Sequence, residues 1–580
     1  MSAPASSGSL SASSRTFCPP EGRRFALIAA ILASSMGFID GTVVSLAMPV
    51  IRTDLGASLA EAQWIGNAYM LLLSALVLIG GVAGDVFGVR NIFAVGIAIF
   101  IVTSLFCAIA ADAQMLIAMR ALQGTGAALM VPGSLALIAK SYPADIRGAA
   151  IGKWAAYSSL ATAFGPVIGG AVLSTGEPWM WRIIFAINVP IGVVAFMMLI
   201  RHVPADRPSA KRRMDVLGAV LATAGLGLLA WGLTDMGAVE GSLPISPGMR
   251  MLTGTALLAA FVFWERRAHS PMVKLQLFRY WAFSGANLYT LVLFFAFSAV
   301  LFFMPMTLVA GWGTPEWQVS LLFLPMSLFI ALFSGLAGRL ADRWGPRWPL
   351  TIGALVVAMS YALLAISLPA MELWGATFLA LVLNGLGMAI LVSPLSAAVM
   401  LAVPDDDTGL ASGINNAVAR AAGLLAVAAL GALAALVFRN VLGDGIEGAG
   451  FGEVPKVALD TLAEGRRVTA TNSAFQVISG ISAILCAGAA VISWLTQQSW
   501  PDRGKASARP ARTDRSGRRF RVLYSPALAT FSGLGFSSLR RSSIRSRSRL
   551  KLTSSSPSST RPPGRRTRIG STLVPLTISS

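Results

Sequence analysis

Two stretches decide the reading of this chain: GVAGDVFGVR at residues 81–90 and GRLADRWGPR at residues 338–347. Aligned, they repeat Gly, Asp, Gly and Arg at one spacing, as Gly81, Asp85, Gly88 and Arg90 and then Gly338, Asp342, Gly345 and Arg347. Each follows an apolar run long enough to cross a bilayer as a helix, and each closes with a basic turn. A duplicated segment at the same place in two halves makes two homologous six-helix bundles the simplest architecture. Glycines allow a tight turn and close helix approach, and a carboxylate a few residues from an arginine can cap a helix start and form a salt bridge. Such a turn serves equally as a latch that opens when two bundles rock or as a solvated structural turn.

Composition agrees with a membrane setting. The 580 residues are 55% hydrophobic and 12% charged, about half the ~25% charge of a soluble protein. The apolar residues come in runs of roughly 20, which suit helices and not the short alternating strands of a membrane barrel. Fourteen spans are expected, at 25–48, 63–83, 92–111, 114–138, 149–173, 182–200, 215–235, 250–265, 282–310, 317–338, 349–368, 373–401, 410–438 and 474–496. The first is too long for a signal peptide and contains Asp40, so it reads as a retained helix. The expected organisation is a cytoplasmic leader at 1–24, a six-helix bundle at 25–200, a linker with two extra helices at 201–280, a second six-helix bundle at 281–497, and a basic tail at 498–580. Lys and Arg number 19 in one set of connectors, counting the leader and Lys153 at the start of the 149–173 span, and seven in the other, which is expected to place both termini in the cytoplasm.

The net charge of +20 does not indicate a nucleic-acid binder. Residues 503–580 hold 18 Lys and Arg and one acid, Asp514, leaving only +3 for the rest. That tail, rich in Ser, Arg and Pro, cannot bury a core and is expected to be disordered. It reads as an extension without a transport role; anionic lipid is its natural partner otherwise, and RNA a lesser one. Cys18, Cys107 and Cys486 are far apart, and His202 and His269 fall in polar connectors, so neither a disulfide framework nor a metal site is expected.

Ionisable groups inside spans cost about 2.5–3.5 kcal/mol each at a helix centre. Asp40 and Arg120 lie eight and six residues from the outer ends of their expected spans, about 9–12 Å deep at the helical rise. They share a layer and can pair. If substrate competes with the proton for Asp40, the two bindings become reciprocally linked, the minimum physics of an antiporter. A static pair is the alternative; the usual role of ionisable residues at such depth favours coupling. Arg420, on a span that begins inside, can snorkel to the cytoplasm and reads as structural. GPVIGG at 165–170 combines a proline bend, Pro166, with the small residues Gly165, Gly169 and Gly170.

Together with these, RALQGTGAALMVPGSLALI at 120–138, WRIIFAINVPIG at 181–192, FIDGTVVSLAMP at 38–49 and GLASGINNAVARAAG at 409–423 resemble the major facilitator superfamily, in its fourteen-helix drug:proton antiporter branch. The resemblance covers residues 25 to about 497, in order. It implies an all-α polytopic protein of the cell membrane that exports drugs, antibiotics or related amphiphiles in exchange for protons by alternating access. It implies no enzymatic activity and no cofactor beyond the proton gradient; small molecules, protons and lipid are the partners, and the chain is expected to be monomeric. By position, Asp40 matches the family's membrane acid, and Arg120 with Gln123 and Gly124 matches the motif linked to proton coupling. Gly165, Pro166, Gly169 and Gly170 match the antiporter motif, and Asp85, Gly88 and Arg90 the cytoplasmic gate. Arg420 and Asn415 are further candidates in the 409–423 run. The neutral Val86 and Phe87 depart from the family, which often has a basic residue there. Few other acids lie deep in the spans, which favours monocations or neutral molecules over dications. A symporter of the same fold that imports a small solute is the competing reading, since sequence does not fix direction. A permease driven by a separate ATPase is less favoured: the chain holds no GxxxxGK[ST] loop, although a partner could supply one.

Overall fold

Backbone groups in a hydrocarbon layer must find partners within their own segment, and the apolar runs accordingly fold as helices. A computed structural model of the chain describes residues 17–206, 214–237, 245–443, 449–455 and 458–497, with the side chains of 144, 145, 159, 162 and 163 outside the description. The basic tail and most of the leader therefore lie outside the described residues, as do their expected roles. Among the described residues all regular structure is helical: α1 (Pro20–Leu55), α2 (Leu59–Phe87), α3 (Val89–Ala108), α4 (Ala113–Ser141), α5 (Ala144–Leu173), α6 (Trp181–Ala186), α7 (Asn188–His202), α8 (Val216–Asp235), α9 (Pro247–Glu265), α10 (Trp281–Pro305), α11 (Glu316–Trp344), α12 (Arg347–Ser367), α13 (Phe378–Leu401), α14 (Thr408–Leu442) and α15 (Thr461–Thr496).

Twelve stretches among the described residues are helical, long and apolar enough to cross a membrane. The expected spans at 149–173 and 250–265 coincide with α5 and α9, helices that fall outside those twelve. The expected span at 182–200 is divided into α6 and α7, with Ile187 between them. Polar residues start the helices. Ser58 and Glu61 form a reciprocal capping box on α2, Ser58 N–H to Glu61 at 2.8 Å and Glu61 N–H to Ser58 Oγ at 3.2 Å. Asp112 caps α4 through Met115 N–H at 2.7 Å, and Asp215 caps α8 through Gly218 N–H at 2.8 Å.

Helices α1 to α7 pack mainly on one another, through α2 on α4, α3 on α4, α1 on α5 and α1 on α7. Helices α10 to α15 do likewise, through α12 on α15, α11 on α13, α12 on α13 and α10 on both α14 and α15. Most contact between the groups runs through two helix pairs, α5 with α11 and α2 with α14, with α1 touching α10 and α11 beside them. α8 lies against both α2 and α14, and α9 packs on α8. α1 runs on to Leu55, seven residues past its expected end, because Arg52 is satisfied in place. It donates to the carbonyls of Ala57, Phe451 and Gly452 at 3.2, 2.8 and 2.6 Å and reaches Glu453 at 3.4 Å, so a cation that looks like a loop residue is only 4% exposed.

Candidate functional site

Asp40 on α1 and Arg120 on α4 meet inside the first helix group, Arg120 Nη1 donating to Asp40 Oδ2 at 2.6 Å. The pair does not face lipid: Asp40 is 1% exposed and Arg120 2%. Gln123, one helical turn beyond Arg120, closes a ring, accepting from Arg120 Nη1 at 2.7 Å and donating to Asp40 Oδ1 at 3.4 Å and Ser104 Oγ at 2.8 Å. Arg120 Nε donates to the Ile65 carbonyl at 3.2 Å, and its guanidinium lies 4.3 Å from the Tyr69 ring centroid and 5.7 Å from that of Phe185. Buried charges persist when paired and hydrogen-bonded, and this ring supplies both. Gly124 brings α4 onto α2 so closely that a Cβ there would collide with the Tyr69 backbone, which sets the ring's width. Sequence reading found Asp40, Arg120 and Gln123; it missed Ser104, Ile65, Tyr69 and Phe185, which carry no charge to betray them.

The glycines of α5 lie against the same stretch of α1. A Cβ on Gly165 would meet Ile39 Cγ1 and Val43 Cγ2 at 3.4 Å, and one on Gly169 would collide with Val43. One residue on, Gly170 faces across to α11, where a Cβ would collide with Ser320. The helix carrying Pro166 is therefore in contact with the Asp40 segment on one side and with the second helix group on the other.

At the first copy of the repeated turn the expected Asp85–Arg90 salt bridge is not made. Arg90 donates instead to the carbonyls of Val203 and Ile200 at 3.2 and 3.1 Å and to Asn91 at 3.1 Å. The start of α3 is capped by Asp206, which accepts from Val89 N–H and Arg90 N–H, both at 3.0 Å, and from Lys140 Nζ at 3.1 Å. Gly88 has φ +92°, and a Cβ would stand 3.1 Å from Asp206 Oδ1, so the turn needs glycine twice over. Burial pushes the Asp206 carboxyl up, but the two backbone donors and Lys140 outweigh it and hold it below the usual carboxylate range. At the second copy Gly345 has φ +84° and Arg347 stacks on Trp494, 3.9 Å from guanidinium to ring centroid. A Cβ on Gly338 would press on Ser393 Oγ, while Gly81 has room, its nearest neighbour being Pro132 at 3.9 Å.

Asn415 donates to Thr290 Oγ1 at 2.7 Å and to Asn287 Oδ1 at 3.3 Å, a neutral cluster linking α14 to α10. Arg420 is half-buried and lies within electrostatic reach of Tyr69, the residue that also carries Arg120. Among the described residues no group of His, Cys, Asp and Glu could hold a metal.

The model of the Major Facilitator Superfamily matches residues 30–428 and 288–544. The chain belongs to the major facilitator superfamily. Its curated relatives include a probable actinorhodin transporter of Streptomyces coelicolor, 32% identical over 429 residues, covering 72% of this chain and 73% of that protein. They also include the multidrug resistance protein Stp of Mycobacterium tuberculosis, 30% identical over 413 residues with coverage of 70% and 75%. These relatives support the resemblance to the superfamily's drug-efflux branch. A bacterial homologue of the human lysosomal transporter Spinster superimposes with a TM-score of 0.59 at 14% identity, covering 83% of this chain and all of that one. A D-xylose-proton symporter gives 0.55 at 15%, covering 82% of this chain and 97% of that one. Those two likenesses concern the fold. With it, the chain is a multi-pass membrane protein of a transporter superfamily.

Proposed function

We propose that this protein exports amphiphilic drug-like or antibiotic compounds across the cell membrane in exchange for protons, by alternating access between two six-helix bundles. In this reading the chain crosses the membrane fourteen times, α5 and α9 included, with both termini in the cytoplasm. The observation that carries it is the Asp40 ring: one carboxylate, buried and held by Arg120 and Gln123, beside the α5 glycines that reach the other helix group. When Asp40 takes a proton, Arg120 loses its counter-charge and the ring reopens toward Ile65, Tyr69 and Gln123. A ring that changes its bonds with protonation shifts the packing of α1 on α5, and through Gly170 the closure of α5 on α11.

The energy suffices. One elementary charge crossing 100 mV supplies about 2.3 kcal/mol, and each pH unit about 1.4 kcal/mol. The names borne by the relatives, one an actinorhodin transporter and one a multidrug resistance protein, support the drug class and the outward direction. The test is dye or antibiotic movement in proteoliposomes under an imposed pH gradient. Uptake against its gradient driven by protons moving the opposite way is the expected result; movement with the protons would instead establish the symporter, and transport indifferent to pH would remove proton coupling.

A further inference from the structure

At the end of the helices that carries the α1–α2 connector, opposite the Gly88 and Gly345 turns, lies a cavity of about 1020 Å³ that does not include the Asp40 ring. Its wall is built by α2 with Gln63 and Trp64, α8 with Trp231 and Thr234, and α14 with Phe438, together with one face of α4, the end of α1 at Arg52 and the 449–453 segment. Its volume is that of a site for a drug-sized molecule. Trp64 and Trp231 meet edge to face, centroids 5.9 Å apart at 78°, so aromatic surface from two helices converges on one space. Two residues of its wall each hold a buried polar atom with no hydrogen-bond partner, Gln63 Oε1 and Thr234 Oγ1, on residues only 2% exposed. Gly431 of α14 leaves the room that the Gln63 amide occupies, since a Cβ there would collide with it.

Buried polar atoms are normally paired, because leaving them unpaired is costly. Here the chain provides both the apolar enclosure and the unpaired acceptors but not the donor. We propose that this cavity is a second ligand site, for a flat aromatic molecule carrying a hydroxyl group, and that the helix α8 between the two helix groups exists in part to complete it. The aromatic body lies against the tryptophans and Phe438, and the hydroxyl donates to Gln63 Oε1 with Thr234 Oγ1 beside it. The proposal goes beyond the export reading and concerns binding, so the two can fail separately.

The test uses the full chain in lipid nanodiscs and 5-azido-2-naphthol as a photoprobe, with peptide mapping and competition by unlabelled 2-naphthol. Expected are competable adducts within 59–64 and 231–235, with labelling lowered about fivefold by Gln63→Leu and by Thr234→Val, the loss of one hydrogen bond. Without probe, Gln63→Leu should leave the thermal midpoint unchanged or higher, as the amide it removes has no partner. The labelling is read with no pH gradient and apart from transport, so its outcome and that of the export test are separate. Adducts spread over lipid-facing helices and insensitive to competition would overturn the proposal, as would full labelling of both variants or a clear fall in midpoint for Gln63→Leu.

Discussion

At the first copy of the repeated turn, a carboxylate 117 residues away in sequence, Asp206, holds the start of α3, with Lys140 beside it. At the second copy the corresponding start of α12 rests on an aromatic ring, Arg347 over Trp494. The same asymmetry recurs deeper in the molecule. The first helix group buries a charged ring of Asp40, Arg120 and Gln123, whereas the second holds the neutral cluster of Asn287, Thr290 and Asn415. At these turns and clusters the first half carries titratable chemistry and the second neutral or aromatic contacts, although α15 of the second half also holds the Arg467–Glu464 pair. In the proposed cycle the first half responds to protons and the second follows through the contacts that join them.

The sharpest way to break this division is Asp40→Asn. With one proton exchanged per substrate, a gradient of one pH unit supports about a tenfold concentration ratio of substrate, and two units about a hundredfold. Asp40→Asn should collapse that ratio to one in proteoliposomes while the protein remains folded, and a retained ratio would take Asp40 out of coupling. The next largest effect is expected at the seam. Gly170→Val drives a side chain into Ser320, an overpacking worth about 1–3 kcal/mol against the α5–α11 approach, and should slow transport about tenfold. Ser320→Ala in the same chain should restore part of the rate; no rescue would mean that the contact between halves is not what Gly170 provides.

How much of this was legible in the sequence follows from range. Runs of about 20 apolar residues announce helices locally, and the repeat of Gly, Asp, Gly and Arg gave away the duplication. Asp40 and Arg120 were legible as partners because each is costly alone and their depths match. Contacts between distant segments were not. Arg52 reads as a connector residue beyond the first span, since nothing nearby shows that the carbonyls of Phe451 and Gly452 receive it. Asp206 stands 117 residues from the turn that it caps, and nothing local to either segment shows the pairing. The uncharged members of the ring, Ser104 and Tyr69, and the acceptors Gln63 and Thr234, become conspicuous only when their surroundings are known.

The third prediction puts a pH dependence on the first turn. Asp206 has its acidity raised by the Val89 and Arg90 N–H groups and Lys140, so its folded pKa lies below the unfolded one near 3.9. A depressed carboxylate stabilises fully above the unfolded value, and the contribution fades as pH falls through the folded value. Asp206→Ala should cost about 1 kcal/mol at neutral pH, read as faster amide exchange at residues 89–92. The wild-type advantage over this variant should shrink as pH drops below about 4; an advantage that persists to the bottom of that range would mean that the cap does not act through its charge.

The smallest effect is expected at the second turn, and its pH behaviour separates the two halves more cleanly than its size. Neither a guanidinium nor an indole exchanges a proton in the range where a carboxylate does, so this contact has no proton to lose. A cation resting on an indole at a partly exposed site contributes about 0.5–1 kcal/mol. Trp494→Leu also loses the edge contact with Trp348, centroids 5.0 Å apart, so the single variant overstates the cation's share. The double-mutant cycle of Arg347→Gln with Trp494→Leu isolates it, and its coupling, read from amide exchange at residues 347–350, should stay level from pH 7 down to the acid range in which the Asp206 contribution fades. A coupling that fell with pH in step with the first turn would show a titratable partner acting on Arg347 as well, and the division of labour between the two copies would not hold.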